Sequence, residues 1–258
     1  MTIRILNPEE YRDVLRFIDR EKPVISPYIP IDLEFYSEGS DDYGVYLQEI
    51  SGRCTAIVSV YHDDVQLWAS EDADHGELRG FVSCGRFNHI SSTVETLGLL
   101  GLRSETWGAI YRLGRIDPVS ATDLDVRKAP LDEDYTGIAA LIKRHLDDGS
   151  EVEAISALLK ERNRSSFGRN YFLKDGGRVI AHAGTYGESE TCSVVGGVVV
   201  DPEYRGRRIA QMIVSELCSD LVEEGKSVFL MAYDDAAIHL YEKIGFRSYC
   251  SWGRMPIP

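Results

Sequence analysis

The chain has 258 residues, of which 43% are hydrophobic and 27% charged, and it carries a net charge of −14. That length leaves room for one large core or two small ones, the balance is that of an ordinary globular protein, and no apolar run approaches the length of a membrane span. Acidity, heavier in the first half, argues against nucleic acid, whose phosphates need a basic face, and favours cationic partners.

The first ten residues are polar and acidic, with no apolar core for a signal peptide, so a reducing cytoplasm is the expected compartment. Asn7 and Pro8 suit the start of a helix over roughly Glu9 to Arg20, with Tyr11, Val14, Leu15 and Ile18 on one face. Pro23, Pro27 and Pro30 predict an extended, irregular crossing. Tyr43 to Ile50, Thr55 to Tyr61 and Val65 to Ala69 then alternate as a strand meander. Phe81 to Cys84 reads as a strand and Ser91 to Leu100 as a helix broken at Gly101. Leu113 to Asp123 is punctuated by Gly and Pro and reads as a linker, which places the domain boundary near residue 120, between units of residues 1–119 and 120–258.

Beyond it, Leu124 to Arg127 predicts a strand, and Glu133 to Leu146 and Glu151 to Arg162 predict helices joined by Asp147-Asp148-Gly149-Ser150. A hairpin follows, Asn170 to Lys174 and Val179 to Thr185 around Asp175-Gly176-Gly177, and then a long strand from Thr191 to Val200. Gly196 and Gly197 weaken that strand unless a bulge or a close backbone approach needs them. Val198, Val199 and Val200 are β-branched and read as buried; Asp201 and Pro202 stop the strand. Arg205-Gly206-Arg207-Arg208 then leads into a helix with Ile209, Met212, Ile213, Leu217 and Leu221 on one face and Gly225 as its stop, followed by a strand from Ser227 to Ala232. A strand ending in a turn that opens a helix, with free amides at the positive end of the helix dipole, suits a phosphate or pyrophosphate.

Arg205 to Ala210 resembles the acyl-CoA-binding motif of the GNAT superfamily of N-acyltransferases: Arg or Gln, two residues, Gly, one residue, then Gly or Ala. Arg208 stands where that family has Gly, so it either keeps a helical backbone with its side chain outward or narrows the site. Asp234 to Phe246, with Leu240-Tyr241-Glu242-Lys243-Ile244-Gly245-Phe246, is similar to a second family segment, and Asp235 replaces its usual Asn, exchanging a donor for an acceptor.

The resemblance implies an α/β (α+β) fold of tandem GNAT-like mixed sheets flanked by helices, in which the first half is degenerate and the second binds acetyl-CoA. Transfer of the acetyl group to a primary amine of a small molecule or peptide, the acceptor expected to be cationic, is the implied activity. Implied cofactor contacts are Val198, Val199, Val200, Arg205, Gly206, Arg207, Arg208, Ile209, Ala210, Asp235 and Ala237. Tyr241 is the implied proton donor to the departing thiolate, being mostly protonated at an ordinary phenol pKa near ~10. Glu188 and Glu190 are the candidate bases, and Asp147 and Asp148 the candidate contacts to a cationic acceptor. Alternatives are a CoA-binding sensor weakened by Arg208 and Asp235, and a tandem acyltransferase with another activated donor. Five cysteines, Cys54, Cys84, Cys192, Cys218 and Cys250, lack metal-ligand spacing, so no metal is expected, and His182 and His239 receive no role.

Overall fold

The computed structural model describes the chain apart from residues 1, 86, 104–105, 117–125, 131–134, 147–148 and 258. Two compact units emerge, residues 1–110 with 248–258, and residues 111–247. The boundary expected near residue 120 lies outside the described residues, as do Asp147, Asp148 and the first two residues of the strand expected over Leu124 to Arg127.

The elements run in two sets of ten with one order: strand, two helices, three strands, helix, strand, helix, strand. The first set is β1 (Ile3–Ile5), α1 (Tyr11–Glu21), α2 (Tyr28–Phe35), β2 (Tyr43–Ile50), β3 (Arg53–Tyr61), β4 (Asp64–Ala69), α3 (His75–Cys84), β5 (His89–Thr93), α4 (Val94–Leu99) and β6 (Thr106–Leu113). The second is β7 (Arg127–Lys128), α5 (Thr136–Leu146), α6 (Val152–Arg164), β8 (Asn170–Asp175), β9 (Arg178–Glu188), β10 (Cys192–Val200), α7 (Ile209–Glu223), β11 (Ser227–Ala232), α8 (Asp235–Ile244) and β12 (Phe246–Pro256). In each set the three-strand meander is antiparallel, and its last strand runs parallel to the strand after the next helix, β4 to β5 and β10 to β11. The fold is thus mixed α/β, with helices on both faces of mixed sheets, as expected.

Strand periodicity builds the first core. Ala56, Val58 and Val60 of β3 pack with Leu78, Val82 and Leu97 of α3 and α4, whereas Ile57 points the other way, to Tyr11, Val14, Ile29 and Leu33 of α1 and α2. In the second unit, Phe172, Val179 and Val199 pack under Ile138, Leu141, Ile155 and Leu159 of α5 and α6. Ile213, Val214, Leu217 and Leu221 form the buried stripe of α7.

Four expectations are corrected. Residues 28–35 form a helix because Pro30 falls in its first turn, where a missing N–H breaks no intrahelical bond. Phe81 to Cys84 belongs to α3, not to a strand: Asp74 caps that helix by accepting from the Glu77 N–H at 2.9 Å, which outweighs the weak propensity of Gly76 and Gly80. The helix expected over Ser91 to Leu100 splits, since residues 89–93 pair with β4 and β12, and Thr93 caps only the short α4. Strands β6 and β12 were not anticipated; β12 brings the end of the chain back to pair with β5 of the first unit. Among the described residues, no helix is long and apolar enough to cross a membrane, and no group of three or more metal-ligating side chains is found.

Candidate functional site

The turn after β10 is built to leave amides free. Asp201 ends the strand, its carboxylate accepting from the Glu203 N–H at 3.1 Å and lying 3.6 Å from Arg178 and 3.9 Å from Arg144. Pro202–Tyr204 forms one 3₁₀ turn, after which Gly206 takes φ +76° and Arg208 φ +61° before α7 begins. Among the described residues, the backbone N–H groups of residues 206–211 have no protein acceptor. Amides freed by a left-handed turn and a helix start make a concave anion site. Arg205 donates from Nε to the Val200 carbonyl at 3.1 Å, and Arg207 sits 5.1 Å over the Tyr204 ring, so both cations are held at the rim.

The Arg208 backbone differs from the expected helical one. It is the left-handed N-cap of α7, a conformation that glycine adopts freely and that disfavours an L side chain by about 1–2 kcal/mol. Arg208 therefore reproduces the glycine backbone at a stability penalty, and its side chain is exposed. Ile209 is buried at 2% exposure and contributes packing, while Ala210 is half-buried at the first turn.

A cleft opens beside this turn. Strands β10 and β11 are paired from Cys192 with Ser227 to Val195 with Leu230, and beyond that point both continue unpaired with each other. The β9–β10 register slips between Gly196 and Val199, where Gly197 takes φ +61°, so the bulge anticipated at the two glycines is present. Each glycine has its own reason. A Cβ on Gly196 would fall 2.2 Å from the Tyr186 ring, and Gly197 turns its carbonyl to His182 Nδ1, which donates to it at 2.7 Å. His182 Nε2 lies 2.9 Å from Asn170 Oδ1, and burial lowers the imidazole pKa to about 4, so the ring is a buried strut for the bulge.

Tyr241 faces the same region from α8. Asp234 caps that helix, accepting from the Ala237 N–H at 2.9 Å, and Asp235 is exposed in its first turn. The Tyr241 ring meets Phe246 edge-on at 5.9 Å. Burial, reinforced by neighbouring Tyr186, Asp234 and Cys218, pushes its phenol up to about 12. Among the described residues no group hydrogen-bonds its hydroxyl, leaving a protonated donor uncommitted. Sequence reasoning missed Tyr186, whose only signal was the need for a side chain to fill the space above Gly196.

The expected bases are corrected. Glu188 is 7% exposed; its Oε1 accepts from Arg169 (2.8 Å) and Thr185 (2.7 Å), and its Oε2 from Arg169 and Lys226 (each 2.7 Å). Burial alone would raise its pKa, but Arg169, Lys226 and Thr185 outweigh burial and hold it below the ordinary value. A carboxylate with four donors is a structural anchor rather than an available base. Glu190 is exposed just beyond β9, at the end where β10 and β11 remain paired, away from the opening.

On the α5–α6 side of the bulge lies a cavity of about 180 Å³, lined by Ile142, Ala154, Ile155, Leu158, Leu159, Arg162, Asn170, His182, Tyr186, Gly196 and Gly197 among others. A turn with unpartnered amides, a parted strand pair, a phenol with no hydrogen bond among the described residues and a pocket at the bulge thus lie in one unit.

Comparison with known proteins agrees with this geometry. Residues 137–246 match the sequence profile of the acetyltransferase (GNAT) family. A GNAT-family acetyltransferase from Colwellia psychrerythraea is 13% identical, with 100% of each chain covered and a TM-score of 0.65. A GCN5-related N-acetyltransferase from Sphaerobacter thermophilus is 16% identical over 99% of this chain and 95% of that one, with a TM-score of 0.66. A tandem GNAT protein from the clavulanic acid biosynthesis pathway is 12% identical over 99% and 98%, with a TM-score of 0.62. At such identities these likenesses concern the fold. No curated protein sequence matches.

Proposed function

We propose that the second unit, whose residues 137–246 match the acetyltransferase (GNAT) family profile, transfers an acetyl group from acetyl-CoA to a primary amine. The observation that carries this reading is the run of unpartnered amides at residues 206–211 beside the place where β10 and β11 part.

The fit to the donor rests on these same features. Amides of residues 206–211, with Arg205 and Arg207 at the rim, would hold its pyrophosphate; the unpaired edge of β10 at Val198 to Val200 would hold its pantetheine arm as an added strand. Acetyl-CoA supplies an activated acyl group. Asp235, which only accepts when ionised, and Ala237, whose N–H is taken by Asp234, make weaker contacts than an Asn would.

The chain's own residues then manage one proton. Tyr241 is held protonated by burial and its hydroxyl is free of protein partners, the two properties required of a general acid at a leaving sulfur. Tyr186 packs against the bulge and narrows the cleft opposite it. Neither Glu188 nor Glu190 is assigned the amine proton.

Calorimetric titration with acetyl-CoA, CoA and dephospho-CoA tests the reading. Binding of acetyl-CoA at micromolar or tighter affinity supports it, and absence of both heat and thermal shift would overturn it.

A further inference from the structure

The reading above leaves the acceptor as an unspecified amine, expected from sequence to be cationic. The cavity at the bulge has the opposite character. Among the described residues that line it, Arg162 is the one charged side chain, and the rest of its α5–α6 wall is apolar, built from Ile155, Leu158 and Leu159. Arg162 is half-buried on α6 with its guanidinium 5.6 Å from the Tyr186 ring centroid, and among the described residues that guanidinium has neither a carboxylate nor a hydrogen-bond acceptor. A guanidinium steadied over an aromatic face, with its donor fork unfilled at the edge of an apolar pocket, matches a carboxylate bidentately.

Dimensions narrow the choice. Tyr186 neighbours both groups that matter: the Arg162 guanidinium lies 5.6 Å from its ring centroid, and a Cβ on Gly196 of the bulge would fall 2.2 Å from its ring. Arg162 and the bulge therefore border one small pocket, which suits a carboxylate and an amine carried on one compact molecule rather than an extended polyamine. The cavity of about 180 Å³ has room for one small amphiphile.

Resting on the acyl-transfer reading, we propose that the acceptor is a free α-amino acid with an apolar side chain. Its carboxylate pairs with Arg162, its side chain lies against Ile155 and Leu159, and its amine faces Gly196 and Gly197. The amine nitrogen forms the new bond to the acyl carbon as the carbon–sulfur bond breaks. It loses one proton and the sulfur gains one, so the products are an N-acetyl amino acid and the free thiol, with no change in oxidation state.

The test measures thiol release by the full chain with acetyl-CoA and, in turn, phenylalanine, leucine, phenylalaninamide and spermidine. Either amino acid should give saturable release, with a kcat/KM for phenylalanine at least about tenfold above that for its amide, because the amide lacks the charged partner of Arg162. Arg162→Gln should collapse that ratio to about one, and Arg162→Lys, which keeps the charge but loses the fork, should fall between. Preference for the amide or spermidine, or a ratio unchanged in Arg162→Gln, would overturn the inference. Acetyl-CoA binding measured on the same samples separates the levels. Binding without amino-acid turnover defeats this inference alone, whereas no acetyl-CoA binding defeats the acyl-transfer reading and this one with it.

Discussion

In the first unit β4 hands over to α3 through Ser70-Glu71-Asp72-Ala73-Asp74; in the second, β10 hands over to α7 through Asp201 to Arg208. The element order around these turns is the same, yet their chemistry is opposed. The first turn carries three carboxylates and satisfies three of its amides at the helix start: the Asp74 N–H donates to Gln48 Oε1 at 2.9 Å, the His75 N–H to the Ala73 carbonyl at 3.0 Å, and the Glu77 N–H to the Asp74 carboxylate at 2.9 Å. The second turn carries three arginines and leaves residues 206–211 unsatisfied. The parallel strands differ too. Ser92 of β5 donates to the Leu67 carbonyl of β4, continuing their pairing, whereas β10 and β11 separate after Val195. Helix α4 has no tyrosine where α8 offers Tyr241. An anion site is thus not a property of this topology but of which groups satisfy the helix start.

The sharpest test of that contrast concerns the phenol present in only one of the two equivalent helices. Tyr241→Phe should lower kcat by about 10²–10³-fold, in the range for loss of a general acid, while calorimetry shows acetyl-CoA affinity within about threefold of the parent. Equal loss of both would remove the proton-donor role.

Next in size is Glu188→Gln, which leaves Arg169 and Lys226, with side-chain exposures of 11% and 13%, beside a neutral amide and with only the exposed Glu224 of their two carboxylates. Denaturant unfolding should show a loss of about 3 kcal/mol, as for a broken buried pair. Rate loss with unchanged stability would restore Glu188 as a base. The same cluster sets an acid limit. Hydrogen bonding to Arg169 brings Glu224 down to about 2 from its ordinary 4.5, against an opposing contribution from burial, and Glu188 is also lowered. Depressed carboxylates contribute stability that is complete above about pH 4.5 and lost as pH falls toward about 2, so thermal unfolding should shift downward through that window.

Gly206→Asp places a carboxylate among the free amides at a positive φ and should weaken CoA binding by about 30-fold or more. Titration of the parent chain should find one CoA per chain, since the first turn carries three carboxylates and its helix start is capped by Asp74; two would break the comparison between the halves. The smallest effect is expected of Arg208→Gly, which relieves the left-handed strain and should stabilise the chain by about 1 kcal/mol in the same unfolding assay.

Much of this was legible before the structure. Local chemistry wrote the hairpin at Asp175-Gly176-Gly177, the bulge glycines, the anion turn and the helix with Tyr241, because turn residues, β-branched runs and helix stops act within a few positions of themselves. Where short-range signals conflicted, the reading failed: glycines masked the capped start of α3, and Ser91 to Thr93 became a strand because β4 and β12 pair with it.

Residue order alone decided the mixed α/β class and the turn after β10 that opens a helix, both consequences of backbone conformation set locally. Only tertiary packing decided that Glu188 is consumed by Arg169 and Lys226, that Tyr186 sits over Gly196, and that Arg162 faces an apolar cavity with no carboxylate among its described walls. Whether a charged side chain is spent on a neighbour or left for a ligand depends on residues distant in sequence, and so on the assembled fold.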